Sequence, residues 1–320
     1  MHIPDNFLSP STCAALGAAM IPAWKNSITK VKKDFKKKKL PLLGVCAAFS
    51  FLIMMFNIPL PGGTTGHAVG AVLAAILIGP YAASISITIA LLIQALFFGD
   101  GGILAFGANC FNMALVMPFS GYFIYKHVSD RFKGNKGRLT AVFAAGYVGV
   151  NLAALAAAIE FGIQPLLFKD TAGLPLYCPY GLKVSIPAMM IPHLLIVGVL
   201  EGIITLGIYS YINKVSPESM YEGEKIKLKP IYSLIIGLVL ISPLGLLASG
   251  TAWGEWSTDE IKDILGFIPQ GMKNGFNFNA AMADYSLKGT NETLGYVASA
   301  AVGLLIIFLL FKLAKKMSRS

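Results

Sequence analysis

Residues 67–98, HAVGAVLAAILIGPYAASISITIALLIQALFF, decide the fold class, because this stretch contains no Asp, Glu, Lys or Arg. A helix that crosses a bilayer needs about 20 apolar residues, and Gly79-Pro80 breaks the run near its middle. We therefore predict two membrane spans here, at 67–83 and 84–98. The whole chain is 55% hydrophobic and only 13% charged, which is typical of an integral membrane protein.

Seven further apolar stretches approach or exceed the length of a membrane span. They lie at 7–24, 40–57, 103–125, 139–160, 185–212, 230–248 and 294–311. The sequence thus predicts an all-α integral membrane protein, a polytopic helical bundle of about nine transmembrane helices. The four cysteines contain no close pair, so we interpret them as packing residues rather than as disulfides or metal ligands.

Lysine and arginine are distributed unevenly among the connections between these stretches. Of the 26 Lys and Arg residues, 21 lie in every second connection, at 25–39, 126–138, 214–229 and 312–319. Connections rich in Lys and Arg lie on the cytoplasmic side of a membrane. We therefore predict a multi-pass protein of a prokaryotic plasma membrane, with its N-terminus outside and its C-terminus in the cytoplasm. The run KKDFKKKK could also touch anionic lipid or nucleic acid, but a determinant of topology that touches lipid headgroups is the preferred interpretation.

The chain begins MHIPDNF (1–7), which lacks the basic segment of a secretory signal. We expect this N-terminus to be retained, with Met1 kept because His2 is not small. The terminal amine, the His2 backbone nitrogen and the His2 Nδ1 atom can then close two fused small rings around one metal ion. Three nitrogens in one plane suit a square-planar site, the geometry that selects Ni²⁺ or Cu²⁺ rather than Zn²⁺ or Mg²⁺.

A fourth nitrogen has to come from another histidine on the same side of the membrane. Of the four histidines, His127 falls in a predicted cytoplasmic connection and His193 inside a predicted span. Only His67 shares the outer side with His2, after a Gly-rich turn that permits close approach of another segment. Simpler interpretations stay open, with His2 in a flexible terminus and His67 as a helix cap or a hydrogen-bonded polar group.

Three ordered motifs resemble a known family. MHIPDNFLSP (1–10), GGTTGHAVGAVLAAILIGP (62–80) and LLIQALFFGDGGILAFGANCFNMA (91–114) look like the metal-binding membrane component of nickel and cobalt energy-coupling-factor transporters, the CbiM/NikM family. The resemblance covers residues 1–212. It implies a helical bundle whose N-terminal segment tucks into an outward-facing pocket beneath the loops.

The resemblance also implies a ligand set. The metal would be held by the Met1 amine, by the backbone and side-chain nitrogens of His2, and by His67, the same residues that the chelate argument selects. Asn6 departs from the family, which usually has glycine there. Asparagine tolerates the left-handed backbone better than other residues, so we expect the turn to survive.

A buried metal pocket needs polar groups that orient its ligands. Some candidates are hydroxyls beside His67, some are amides in otherwise apolar helices, and one is a carboxylate in the FFGDGG turn. These possible supporting residues are Thr64, Thr65, Gln94, Asp100, Asn109 and Asn112. For the three amides, bonding between helices is the preferred interpretation.

The pattern changes after residue 229. Two spans enclose an outer loop at 249–293 with six acidic residues and three lysines, which resembles the accessory subunit of the same transporters. The predicted division is 1–212 for the metal-binding component, 213–229 for a cytoplasmic linker and 230–320 for the accessory-like region. The acidic loop could concentrate cations near the site, although a solvated loop is the ordinary explanation.

The predicted function is ATP-driven uptake of Ni²⁺ or Co²⁺ by a transport component that has no cofactor of its own and is not an enzyme. No GxxxxGK[ST] phosphate loop occurs in the sequence, so we expect the ATPase subunits and a coupling membrane subunit to be separate partners, with no nucleic acid involved. The alternatives are an autonomous metal-ion channel or secondary transporter, and a membrane metalloenzyme. The sequence lacks the HExxH motif that would favour the enzyme.

Overall fold

The structure, a computed structural model, describes residues 1–34, 40–217, 228–248 and 250–317. Helices account for most of these residues, in agreement with the predicted all-α class. The only strands within the described ranges form one antiparallel hairpin, β1 (Ile58–Leu60) and β2 (Thr64–Gly66). The hairpin was not predicted, and it lies in the Gly-rich turn that precedes His67.

Thirteen α-helices follow one another along the described chain. Their bounds are α1 (Pro10–Asp34), α2 (Leu40–Met54), α3 (Ala71–Ile78), α4 (Pro80–Ile93), α5 (Phe106–Cys110), α6 (Met117–Arg131), α7 (Gly134–Leu167), α8 (Leu182–Pro192), α9 (Gly198–Val215), α10 (Leu228–Ile241), α11 (Thr258–Leu265), α12 (Gln270–Lys273) and α13 (Glu292–Met317). Wider π-helical turns extend α4 and join α5 to α6 and α8 to α9, at Gln94–Phe98, Phe111–Val116 and His193–Val197.

Five of the described helical stretches are long and apolar enough to cross a membrane. They are Pro80–Phe98, Gly134–Leu167, Leu182–Val215, Leu228–Leu247 and Glu292–Leu313, and a shorter apolar helix covers Leu40–Met54. These agree with six of the predicted stretches in position. The count of nine spans stays a prediction, because the other three stretches are helices that are shorter, interrupted or less apolar.

The predicted boundaries need two corrections. The predicted break at Gly79-Pro80 is confirmed, but the bounds 67–83 and 84–98 are wrong, because residues 83 and 84 fall inside α4, which begins at Pro80. Proline has no amide hydrogen and fits the first turn of a helix, which explains why α4 begins there. The first helix runs from Pro10 to Asp34, well beyond the predicted end at residue 24. Most of the predicted linker 213–229 lies outside the described residues.

The long helix α7 is at the centre of one group and packs against α6, α8 and α9. A second group forms around α2, which packs against α4, α10 and α13. The accessory-like helices α10 and α13 therefore pack directly on the N-terminal region. All four cysteines are buried and free, which confirms their interpretation as packing residues.

Gly70 shows how tightly the chain turns after His67. It adopts a φ of 73°, and a Cβ atom built there would lie 2.6 Å from Cε1 of Phe49. Only glycine adopts such a backbone at no steric cost. The turn therefore depends on the missing side chain at this position.

Gly70→Ala should lower the thermal midpoint of the purified protein in detergent by several degrees. A left-handed alanine costs about 1–2 kcal/mol, and the clash with Phe49 adds to this cost. Gly207→Ala in α9 is the matched control, since a Cβ atom there meets nothing within 4 Å. Equal midpoints for the two variants would contradict this account of the turn.

Candidate metal site

The first nine residues form a non-helical segment that turns at Asp5 and Asn6, and residues 1–3 and 7–9 of it are buried in the bundle. Ile3 is fully buried, and the side chain of Asn109 binds its backbone on both sides. The Ile3 amide donates to Oδ1 of Asn109 at 2.7 Å, while Nδ2 of Asn109 donates to the Ile3 carbonyl at 3.0 Å. The Gly102 amide donates to the same carbonyl at 2.8 Å. The N-terminal segment is thus docked by a short ladder of hydrogen bonds rather than left free.

Asp5 and Asn6 fix the next part of this segment. The Asp5 carboxylate accepts from the amides of Ile103 and Leu104 at 3.0 and 2.7 Å. Asn6 adopts a φ of 71°, which confirms the expectation that asparagine supports a left-handed turn. Its side chain also exchanges two hydrogen bonds with the backbone of Phe276 in the outer loop.

His67 follows the hairpin directly and is 6% exposed. Its Nδ1 atom lies 3.1 Å from the carbonyl oxygen of Ala68. Since a carbonyl only accepts hydrogen bonds, Nδ1 carries the proton and Nε2 carries the lone pair. The buried Nε2 atom has no hydrogen-bond partner.

His2 stacks on His67, with ring centroids 5.1 Å apart and an interplanar angle of 27°. Its Nδ1 atom lies 3.0 Å from Oδ1 of Asp100, and its Nε2 atom is buried without a partner. The Met1 amine donates to Oε1 of Glu255 at 3.1 Å. The structure therefore brings Met1, His2 and His67 into one corner. Two of the nitrogens predicted to chelate the metal are bound to carboxylates there.

Asp100 is itself held from two sides. Nε2 of Gln94 donates to it at 3.0 Å, and the Tyr285 hydroxyl also donates to it. Burial alone would raise the pKa of Asp100, but the charge of His2 and the hydrogen bonds from His2 and Tyr285 outweigh burial and lower it. Asp100 is therefore an anion. Asp284 and Tyr285 both have left-handed backbone, with φ of 52° and 55°, and strain of this kind is typical of functional sites.

A cavity of about 780 Å³ opens beside the two histidines. Four carboxylates line it, namely Asp100, Glu255, Asp284 and Glu292. A concave surface with this much negative charge attracts cations. Within the described ranges, no group of three or more His, Cys, Asp and Glu side chains is arranged to hold a metal ion.

The structure places the predicted supporting residues at different distances from the two histidines. Asp100 contacts His2, Gln94 donates to Asp100, Asn109 holds the N-terminal segment, and Thr65 lines the cavity. Thr64 instead donates to the Thr251 carbonyl.

Asn112 belongs to neither the cavity nor the N-terminal segment. Its Nδ2 atom donates to Glu160 of α7 at 2.8 Å, the bond between helices that was the preferred interpretation. Asn109 belongs to α5, whereas Asn112 follows the change from α to π geometry at Phe111. Residues three apart lie on one face of a regular helix, but the wider π turn between Asn109 and Asn112 removes that regularity.

Three residues of the site were not predicted from the sequence. Glu255 and Tyr285 lie in the outer loop far along the chain, and Asp5 lies within the opening motif. Glu255 belongs to the GTAWGEW stretch (250–256), whose two tryptophans in a polar loop were the available signal. The sequence gives no signal that Tyr285 would hydrogen-bond to Asp100.

Residues 2–219 match the sequence profile of CbiM, described as the cobalt uptake substrate-specific transmembrane region. The chain belongs to this family. Residues 228–320 match a second profile, the PDGLE domain. With its apolar helices, the protein is a multi-pass, all-α membrane protein of a metal-transport family.

Relatives of this CbiM-family chain extend over its whole length. It is 49% identical to the probable fused nickel transport protein LarMN of Lactiplantibacillus plantarum, over 98% of this chain and 97% of the relative. It is 44% identical to the fused nickel transport protein NikMN of Rhodobacter capsulatus, over 96% and 95%. A crystal structure described as a transition metal transporter superposes with a TM-score of 0.64 at 53% identity, covering 73% of this chain and 99% of that chain.

Asn109→Ala should undock the N-terminal segment, because the buried amide and carbonyl of Ile3 would lose partners at about 1–3 kcal/mol per group. Hydrogen exchange followed by mass spectrometry should show faster exchange in residues 1–9. Asn151→Ala is the control, since Asn151 is equally buried in a helix but bonds only within that helix, to Tyr147. Unchanged protection of residues 1–9 in Asn109→Ala would refute the ladder.

Proposed function

We propose that this chain is the substrate-binding membrane component of an ATP-driven uptake transporter for Ni²⁺ or Co²⁺. The ion is held by four nitrogens: the Met1 amine, the His2 backbone nitrogen, Nδ1 of His2 and Nε2 of His67. The observation that supports this most strongly is the meeting of the chain's own amine with two stacked, buried histidines. The fused nickel transport names of the full-length relatives support the same substrate class.

Binding exchanges carboxylate partners for the metal. The Met1 amine leaves Glu255, and Nδ1 of His2 leaves Asp100. The Met1 amine, the His2 backbone amide and Nδ1 of His2 must each lose a proton to bind a metal through nitrogen, so binding releases protons. The carboxylates remain close by, where their charge offsets that of the ion. Nε2 of His67 already carries a free lone pair, so this ligand is prepared in advance.

Nitrogen ligands in a plane discriminate by geometry. Square-planar nitrogen sites favour Ni²⁺ and Cu²⁺, while Mg²⁺ and Ca²⁺ prefer oxygen ligands in octahedral or larger shells. Mg²⁺ and Ca²⁺ enter the acidic cavity, but the nitrogen site in the buried corner does not hold them, because these ions prefer oxygen ligands. This arrangement suits selective capture of a scarce transition metal.

The topology is part of the proposal. We place the N-terminus outside a prokaryotic plasma membrane and the C-terminus in the cytoplasm, with about nine spans, because Lys and Arg are concentrated in alternate connections. The cavity then faces outward. We also keep the division into 1–212, 213–229 and 230–320, in which the third region supplies the loop that reaches the site.

ATP hydrolysis is assigned to separate subunits, joined to this chain by a coupling membrane subunit. The chain has no phosphate-binding loop of the GxxxxGK[ST] type, so capture and energy supply fall to different chains. Release inward requires movement of the N-terminal segment, since it carries three of the four nitrogens.

His2→Gln should abolish tight binding of Ni²⁺ and Co²⁺ by the purified protein, because it removes the imidazole of the chelate while residue 2 stays large enough for Met1 to be kept. His67→Ala should weaken binding strongly as well. His127→Ala serves as the control, since that histidine is exposed and bonded to Phe123 within its own helix. Isothermal titration measures all four proteins. Native affinity in His2→Gln would rule out the N-terminal chelate.

Uptake into liposomes separates the transporter component from the autonomous alternative. This chain alone, without ATP and partner subunits, should bind nickel but should not accumulate it. Radioactive ⁶³Ni²⁺ inside the vesicles is the readout, and His2→Gln provides the background. Accumulation by the native chain alone would favour a channel or secondary transporter.

A further inference from the structure

Glu201 is a fully buried carboxylate inside the apolar stretch Leu182–Val215. It lies in the first turn of α9 and is not a ligand in the proposed site. Ionisable groups are costly inside a membrane span, so a residue of this kind normally has a functional role. Its partners show what that role is.

Both oxygens of Glu201 accept hydrogen bonds from the turn that follows His67. The Val69 amide donates to Oε2 at 2.7 Å, and the Gly70 amide donates to Oε1 at 3.0 Å. These amides lie just before α3, where the first N–H groups of a helix have no partner within the helix. A carboxylate at this end of a helix also interacts favourably with the helix dipole.

The hydrogen bond from the Val69 amide to Glu201 fixes the orientation of the His67 ring through the peptide unit that joins Ala68 and Val69. The Val69 amide and the Ala68 carbonyl belong to the same planar group, so fixing one fixes the other. The Ala68 carbonyl accepts the proton of His67 Nδ1. That bond determines that Nε2 carries the lone pair. The orientation of the His67 ring therefore depends on Glu201.

Other contacts hold the turn but do not replace this one. The Ser50 hydroxyl of α2 donates to the Val69 carbonyl at 2.7 Å, and this carbonyl belongs to the next peptide unit. Phe49 packs against Gly70. Within the part of the chain that the structure describes, Glu201 alone binds the Val69 amide, which shares its peptide unit with the carbonyl that contacts His67.

We infer that Glu201 is a positioning residue of the metal site, which holds the Ala68–Val69 peptide so that Nε2 of His67 is directed at the ion. This inference rests on the proposed function, because it assumes His67 as a ligand. The bond from Glu201 to the Val69 amide connects α9 to the proposed ligand His67. A shift of α9 would therefore move the Ala68–Val69 peptide and change the direction of Nε2 of His67. Glu201 touches neither Met1 nor His2, so its effect passes through His67 alone.

Glu201→Gln replaces one acceptor oxygen by an amide that cannot accept from an N–H group. The affinity for Ni²⁺ should fall about 10-fold to 100-fold, the usual effect of losing a residue that orients a metal ligand. The visible d–d absorption of the bound Ni²⁺ should shift towards that of His67→Ala. Glu160→Gln is the matched control, since Glu160 is a buried carboxylate of α7 that bonds Asn112 instead. It should keep the native affinity and spectrum.

A double-mutant cycle with Cu²⁺ separates positioning from general stability. Cu²⁺ binds more tightly than Ni²⁺ to nitrogen sites, so the three nitrogens of Met1 and His2 hold it measurably without His67. Glu201→Gln should weaken Cu²⁺ binding in the native background and have no further effect beside His67→Ala. Equal weakening in both backgrounds would overturn the inference, because the effect would then pass through the bundle.

The same variants distinguish a failure of the proposed ligand set from a failure of the proposed role of Glu201. If His67→Ala binds Ni²⁺ like the native chain, the proposed ligand set is wrong and the role of Glu201 falls with it. If His67→Ala loses binding while Glu201→Gln keeps native affinity and spectrum, only the role of Glu201 is wrong. Where Glu201→Gln does not yield folded protein, Glu201→Asp takes its place, since it keeps the charge but is too short to reach both amides.

Discussion

The docking of the N-terminal segment is the interaction on which the site depends. A terminal amine is normally mobile and solvated, and ordering nine residues costs considerable conformational entropy. Hydrogen bonds to Ile3 from Asn109 and Gly102, and the Asp5 carboxylate on the amides that follow Gly102, offset this cost. Gly102 has room for this contact only because it lacks a side chain, since a Cβ atom there would lie 2.4 Å from the Asp5 amide. Main-chain bonding thus fixes a terminus that would otherwise be mobile.

The site joins the two matched regions of the chain. The N-terminal region supplies Met1, His2 and His67, and the PDGLE region supplies Glu255, Tyr285 and the backbone of Phe276 through its outer loop. Every one of these loop contacts meets either the opening segment or Asp100, which holds His2. Fusion into one chain keeps that loop permanently at the site and spares the entropy of associating a separate subunit.

The sequence predicted the membrane class, most of the long helices and the three residues that meet in the corner. Apolar length and Lys and Arg counts carry that information locally, and the His2 chelate is a property of two adjacent residues. The pairing of Nδ1 of His2 with Asp100, and of the Met1 amine with Glu255, could not be predicted, because each contact crosses a long stretch of chain. The changes from α-helix to π-helix at Gln94, Phe111 and His193 could not be predicted either, since they arise from packing between helices rather than from residue spacing.

X-ray absorption at the nickel K-edge of the protein with bound Ni²⁺ tests the central claim most directly, because it reports the number, type and geometry of the ligand atoms. The account predicts four nitrogen neighbours and the pre-edge feature of a square-planar ion, both lost in His2→Gln, which removes the imidazole of the chelate and keeps Met1. A six-coordinate shell of oxygen atoms, unchanged in His2→Gln, would place the metal among the carboxylates of the cavity and contradict the nitrogen site.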